Sequence, residues 1–123
     1  MTDDSKKKVL VVDDEGVIRE FLNEVLEEDF TVTLACDGDE AIAQIQKQHF
    51  DLVITDLKMP RVSGEEVVRF THNHDATIKI IVISGYSSLY TVSQTVHNGA
   101  CAFLSKPFSI SQLMQAVESC LVR

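Results

Sequence analysis

Short apolar runs alternate along this chain with longer stretches whose apolar residues recur at helical spacing, the pattern of strand–helix repetition and of a parallel sheet. Five such pairs are legible. Val9-Leu10-Val11-Val12, Leu52-Val53-Ile54 and Ile80-Ile81-Val82-Ile83 are continuous, apolar and mostly β-branched, as central strands covered by helices on both faces must be. Thr31-Val32-Thr33-Leu34-Ala35 alternates polar with apolar residues and predicts an edge strand. Ala102-Phe103-Leu104 predicts a short last strand.

Between the strands, Val17, Ile18, Phe21, Leu22, Val25 and Leu26 share one stripe of a first helix, whose other face is acidic. Asp37 or Gly38 starts a second helix carrying Ala41, Ile42 and Ile45. Ser63 followed three residues later by Glu66, and Ser109 followed by Gln112, are capping-box patterns that open a third and a fifth helix. A fourth helix after Ser87 is expected to bury Leu89, Val92 and Val96 and to end at Asn98-Gly99. The inner face of the fifth carries Leu113, Ala116, Val117, Cys120 and Leu121.

At 123 residues the chain matches one domain, since domains typically run to roughly 100–150 residues. Neither a linker nor a low-complexity stretch divides it, and the expected layout is a short tail over residues 1–7 and a folded unit over residues 8–123. The 19 acidic residues outnumber the 11 Lys and Arg, and the resulting net charge of −8 repels phosphate backbones and anionic lipid heads. Direct contact with nucleic acid or membrane is therefore not expected. Lys6-Lys7-Lys8, the one basic run, reads as a solvated lead-in to the first strand. No stretch approaches the ~20 apolar residues of a membrane span, and the N-terminus lacks a signal-peptide core, so a cytoplasmic setting is expected. Cys36, Cys101 and Cys120 are odd in number and widely spaced, which predicts reduced, mostly buried thiols rather than a disulfide framework. His49, His72, His74 and His97 show no metal-ligand spacing and read as surface residues.

In an open parallel sheet, ligands bind outside the carboxyl ends of the strands. Here those ends are Asp13-Asp14-Glu15, Asp56, Ser84-Gly85 and Ser105-Lys106-Pro107. Carboxylates gathered at one rim repel each other unless a cation compensates or some are protonated. Mg²⁺ suits such a rim, because it takes oxygen ligands from one or two carboxylates and a substrate phosphate. Lys106 then supplies a second positive charge for the same anion, and the Ser84 hydroxyl a hydrogen-bond donor. Together these groups describe phosphoryl transfer, with a central carboxylate as nucleophile. Taken singly, each residue has a plainer reading, a strand-end Asp capping a helix or a solvated rim Lys.

The same residues resemble the receiver domain of two-component response regulators over nearly the full length. Val9-Leu10-Val11-Val12-Asp13-Asp14-Glu15 is similar to the family's first strand and acidic pair, and Asp56-Leu57-Lys58-Met59-Pro60 with Gly64 to its phosphoacceptor segment. Ser84-Gly85 and Lys106-Pro107-Phe108 match its two remaining site segments. The resemblance implies a flavodoxin-like (βα)5 α/β fold, a doubly wound parallel five-stranded sheet of order 2-1-3-4-5. It makes Asp56 the phosphoacceptor. Asp14 and Asp56 would hold Mg²⁺ directly, Asp13 through water, and the Lys58 backbone carbonyl would complete the set. Lys106 would pair with a phosphoryl oxygen, and the Lys106-Pro107 peptide would be cis.

Ser84 and Phe103 are the implied switch pair, the ring following the hydroxyl as it moves toward the phosphate. Phe103 stands where many members carry Tyr, so no ring hydroxyl is available, and a static core aromatic is the other reading. Lys58 and Tyr86, two residues beyond Asp56 and Ser84, flank the phosphate and are expected to lengthen its lifetime. The implied partners are a sensor histidine kinase or phosphotransfer protein and an output domain or partner protein. The latter would read the fourth helix, fifth strand and fifth helix, roughly residues 87–121, and a dimer formed on phosphorylation is one route to output. Slow autodephosphorylation, not turnover, is the expected chemistry. A small haloacid-dehalogenase-like phosphatase is the runner-up, but it needs an acid two residues after its nucleophile, where Lys58 stands. A receiver-like interaction module that takes no phosphate is the third reading. The sequence ends at the fifth helix, which fits a stand-alone regulator or a receiver cut from a longer protein.

Overall fold

The apolar runs do become strands, and the computed structural model describes residues 6–85 and 88–122. In chain order the elements are β1 (Lys7–Val12), α1 (Gly16–Leu26), β2 (Phe30–Ala35), α2 (Gly38–Lys47), β3 (Leu52–Asp56), α3 (Gly64–His74), β4 (Lys79–Ser84), α4 (Leu89–His97), β5 (Ala102–Ser105) and α5 (Ile110–Leu121). All neighbouring strands are parallel, in the order β2-β1-β3-β4-β5. This is the doubly wound flavodoxin-like arrangement. β1 begins at Lys7, within the stretch the sequence reading assigned to the tail.

Alternation along each central strand divides its side chains between two cores. Val9, Val11, Leu52, Ile54, Ile81 and Ile83 pack with Leu22 and Leu26 of α1 and with Leu113, Val117 and Cys120 of α5. On the opposite face, Leu10, Val12 and Val53 meet Ala41 and Ile45 of α2 and Val67 of α3, while Ile80 and Val82 meet Val68. Residues on both faces of β3 and β4 are thus apolar because neither face meets water. β2 and β5 form the edges, and their positions are mostly half-buried.

Helix starts follow the capping chemistry. Ser63 and Ser109 close full capping boxes with Glu66 and Gln112, and Asp37 and Ser88 accept from Glu40 and Thr91 backbone N–H groups. α4 ends at Asn98, followed by Gly99 at φ 116°. The four histidines lie at exposed positions.

Two helical stripes are less buried than their spacing implies. Val17 at the start of α1 is 80% exposed, and on α4 Leu89 and Val96 are 90% and 52% exposed, leaving Thr95 as the buried residue of that helix. The reason is geometric: α4 covers the four-residue edge strand β5, which is too small to bury a full helical face.

The cysteine expectation is also corrected. Cys36 is exposed, and Cys101 is joined to Cys120 by a disulfide. α5 crosses β5 so that two Cα atoms 19 residues apart in sequence lie 6.0 Å apart in space, a proximity that spacing along the chain does not encode.

Candidate functional site

The chain leaves β1 toward β2 on one side and the sheet continues through β3 on the other, so a crevice opens at the carboxyl ends of β1 and β3. Asp13 follows β1 directly and is fully buried. Its backbone N–H reaches Ala35 O at 3.2 Å, its Oδ1 accepts the Glu15 N–H at 2.9 Å, and its carbonyl accepts from Arg19 Nη1 at 2.7 Å. Asp56 is the last residue of β3, and its Oδ1 accepts the Leu57 N–H at 2.8 Å.

Lys106 enters from the far side. Its backbone N–H donates to Ser84 O at 2.8 Å, which ties the segment after β5 to the end of β4, and the Lys106–Pro107 peptide is cis. The Nζ then lies 3.3 Å from Glu15 Oε1, 3.4 Å from Asp13 Oδ2 and 3.5 Å from Asp56 Oδ1. One ammonium faces three carboxylates. Ser84, the buried last residue of β4, stands in register with Ser105. Asp14, Glu15, Asp56, Lys58, Ser84, Gly85 and Lys106 line a hollow of about 460 Å³.

The electrostatics reflect that imbalance. Burial, reinforced by the neighbouring Asp13 charge, pushes the Asp56 carboxyl up to about 6 against the opposing pull of Lys106. Burial also raises Asp13, with the Glu15 N–H and Lys106 acting the other way. For Lys106 burial works against the charge, but the Asp13 and Asp56 carboxylates outweigh it and hold the ammonium above its ordinary value.

Asp13, Asp14, Asp56, Ser84, Lys58 and Lys106 therefore meet at one rim, whereas Phe103 does not line the hollow. It is half-buried, packed beside Leu57, Val68, Ile80, Val82 and Ala100 on the α3 face. Tyr86 lies outside the described residues. Glu15 was seen at the strand end without a role, yet its carboxylate joins those of Asp13 and Asp56, with oxygens within 4.8 Å of one another. Its extended backbone is the missed signal, since residues i and i+2 of an extended segment share a face. Arg61 was missed as well. It adopts φ 63° in the loop after Asp56 and binds Asp37 at 2.9 Å and Asp39 at 3.4 Å at the start of α2.

Among known families, residues 9–118 match the response regulator receiver domain. The chain is 33% identical over 116 residues to sporulation initiation phosphotransferase F of Bacillus subtilis, covering 94% of both proteins. It is 37% identical over 119 residues to the transcriptional regulatory protein PdtaR of Mycobacterium tuberculosis, of which it spans 58%. Its structure is similar to that of a CheY-like receiver domain protein from Methanospirillum hungatei, with a TM-score of 0.91, 30% identity and coverage of 95% and 94% of the two chains.

Proposed function

The chain belongs to the response regulator receiver family, the phosphorylation-activated switches of two-component signalling, and on that premise we propose that Asp56 is its phosphoacceptor. The observation that carries the assignment is the contact of Asp56 with Lys106 at the carboxyl end of β3, beside buried Asp13. A phosphohistidine of a sensor kinase or phosphotransfer protein is the donor. An Asp56 carboxylate oxygen attacks phosphorus, the phosphorus–nitrogen bond breaks, and the imidazole leaves as an acyl phosphate forms. Asp56 must be ionised to attack, and near neutral pH a carboxyl titrating at about 6 mostly is.

The donor set suits a hard divalent cation, because three carboxylate oxygens cluster within 4.8 Å with one ammonium to offset them. Asp13 and Asp56 of that cluster, with Asp14 from the lining of the same hollow and the Lys58 carbonyl, would hold Mg²⁺, and Glu15 is the cluster's third carboxylate. When bound, the metal neutralises phosphoryl oxygens. Lys106 exchanges its carboxylate partners for a phosphoryl oxygen, and Ser84 donates its hydroxyl to another. Because β5 carries both Phe103 and the approach to Lys106, movement of Ser84 and Phe103 passes to α4, β5 and α5. Their exposed Leu89, Tyr90 and Val96 are the apolar surface an output domain or partner protein would cover. Lys58 and Tyr86 slow hydrolysis of the acyl phosphate by shielding it from water.

The receiver unit runs from β1, which starts at Lys7, through α5, and its proposed setting is the cytoplasm. Among the described residues no helix is long and apolar enough to cross a membrane. A turnover phosphatase is not favoured, since Lys58 occupies the position where a leaving-group acid would stand.

Incubation with acetyl phosphate and Mg²⁺, read by intact mass, tests the assignment. One hydroxylamine-labile phosphoryl group is expected, absent with EDTA and in Asp56→Ala. An adduct that survives Asp56→Ala would place the acceptor elsewhere.

A further inference from the structure

We propose that Cys101 and Cys120 are a reversible thiol–disulfide site, oxidised by a small disulfide of the glutathione type, that sets the mobility of the β5–α5 segment. The two cysteines differ in access. Cys101, immediately before β5, is half-buried, whereas Cys120 on the inner face of α5 is fully buried in the core beside Val117. Cα atoms 6.0 Å apart fall within the span a disulfide bridges without backbone movement. The segment the bond closes contains all of β5, Lys106, the Ser109 capping box and most of α5.

Access dictates the order of the chemistry. The Cys101 thiolate attacks one sulfur of the glutathione disulfide, and the first glutathione thiolate leaves. The Cys120 thiolate then attacks the Cys101 sulfur of the mixed disulfide and releases the second. Two electrons pass from the protein sulfurs to glutathione, and the two thiol protons end on the departing glutathione thiolates. A dithiol reductant runs the sequence backwards.

Reversibility requires that the fold not rest on the bond itself. The sheet is covered on both faces, α5 has its own capping box and Leu113 and Val117 contacts, and the Cys101 backbone N–H donates to Ile80 O at 2.6 Å, none of which involves the sulfurs. Oxidation then removes freedom from one segment alone. β5 is an edge strand of four residues, held on one side by β4, so it is the strand whose motion a tether to α5 would limit most.

The test uses the full chain carrying Cys36→Ser, equilibrated in glutathione buffers, with thiols counted by alkylation and mass and the linkage mapped by peptide digestion. The Cys101–Cys120 bond is expected to form and to revert with dithiothreitol. Amide exchange over residues 102–121 should slow about tenfold on oxidation, and the melting temperature should rise by roughly 10 °C. Both responses should vanish in Cys101→Ser, a half-buried position, and this variant keeps the test decisive if Cys120→Ser fails to fold. Glutathione retained on Cys101 without closure, or a bond that leaves exchange over residues 102–121 unchanged, would overturn the proposal. These readouts need no phosphate, so their failure is separate from a failure of the Asp56 assignment.

Discussion

Gly64 packs against the main chain of Asp56 so closely that a Cβ at residue 64 would overlap the Asp56 carbonyl oxygen and crowd the Leu57 Cα. The Gly64 N–H also donates to Leu57 O at 2.9 Å, so the start of α3 is fastened to the residues that follow β3.

Gly64→Ala should therefore cost about 2–4 kcal/mol in urea unfolding, because the obstacle is backbone and cannot rotate away. The surviving folded fraction should bind Mg²⁺ more weakly, as displacing the Asp56–Leu57 main chain shifts the Asp56 carboxylate and the Lys58 carbonyl that would hold the metal. Gly16→Ala is the control. A Cβ there meets only Arg19 Nη2 at 3.6 Å, and an alanine in the first turn of α1 should be neutral or stabilising by up to about 1 kcal/mol.

The raised Asp56 pKa means that the folded protein holds this proton more tightly than the unfolded chain does. Its contribution to metal-free stability is full below pH 4, is lost as the pH rises toward 6, and is level above that. A displacement from 3.8 to about 6 corresponds to roughly 3 kcal/mol, and Asp13 is displaced in the same direction. Urea unfolding between pH 4 and 7.5 in EDTA should show this loss, and Asp56→Asn should flatten most of it. Stabilisation by Mg²⁺ should grow across the same window, since the metal binds the ionised forms.

Lys106 offsets charge that would otherwise be stranded on buried Asp13 and Asp56. Lys106→Met should lower metal-free stability at pH 7.5 by about 1–3 kcal/mol. Added Mg²⁺ should then raise the melting temperature of the variant more than that of the parent. Equal rises would mean that Lys106 does not compete with the metal for these carboxylates.

Arg61 combines an unfavourable φ of 63° with two ion pairs made by a side chain that is 65% exposed. Exposed pairs contribute about 0–1 kcal/mol, and a left-handed backbone costs a residue with a Cβ about 1–2 kcal/mol. Arg61→Gly should thus stay within about 0.5 kcal/mol of the parent, relief of the backbone offsetting the lost pairs. Arg61→Ala should fall about 1 kcal/mol below it. Denaturant midpoints order the three proteins.

The rim was legible in the sequence because the apolar runs mark where strands stop, and Asp13, Asp56, Ser84 and Lys106 follow those stops closely. Ser63 and Ser109 were legible for a similar reason, since a capping box is a local exchange of hydrogen bonds between residues three apart. What helical spacing does not carry is the identity of the facing surface. Leu89 and Val96 keep the period of a buried stripe while lying mostly in water, because β5 is short and at the edge. The Cys101–Cys120 pair and the left-handed Arg61 depend on how distant segments come to rest against one another, which no local pattern records.

Because every strand runs the same way, the polar rim lies at one end of the sheet, and the turns at Gln48–Asp51 and Asp75–Ile78 lie at the other, held by local bonds such as Ile78 N–H to Asp75 O at 3.1 Å. Exposed turns remote from a site tolerate insertion best. Ile78 is buried in the core under α2 and α3, so the exposed Ala76–Thr77 step is the natural place to graft a fluorescent label or a second domain, leaving the chemistry at the opposite pole intact.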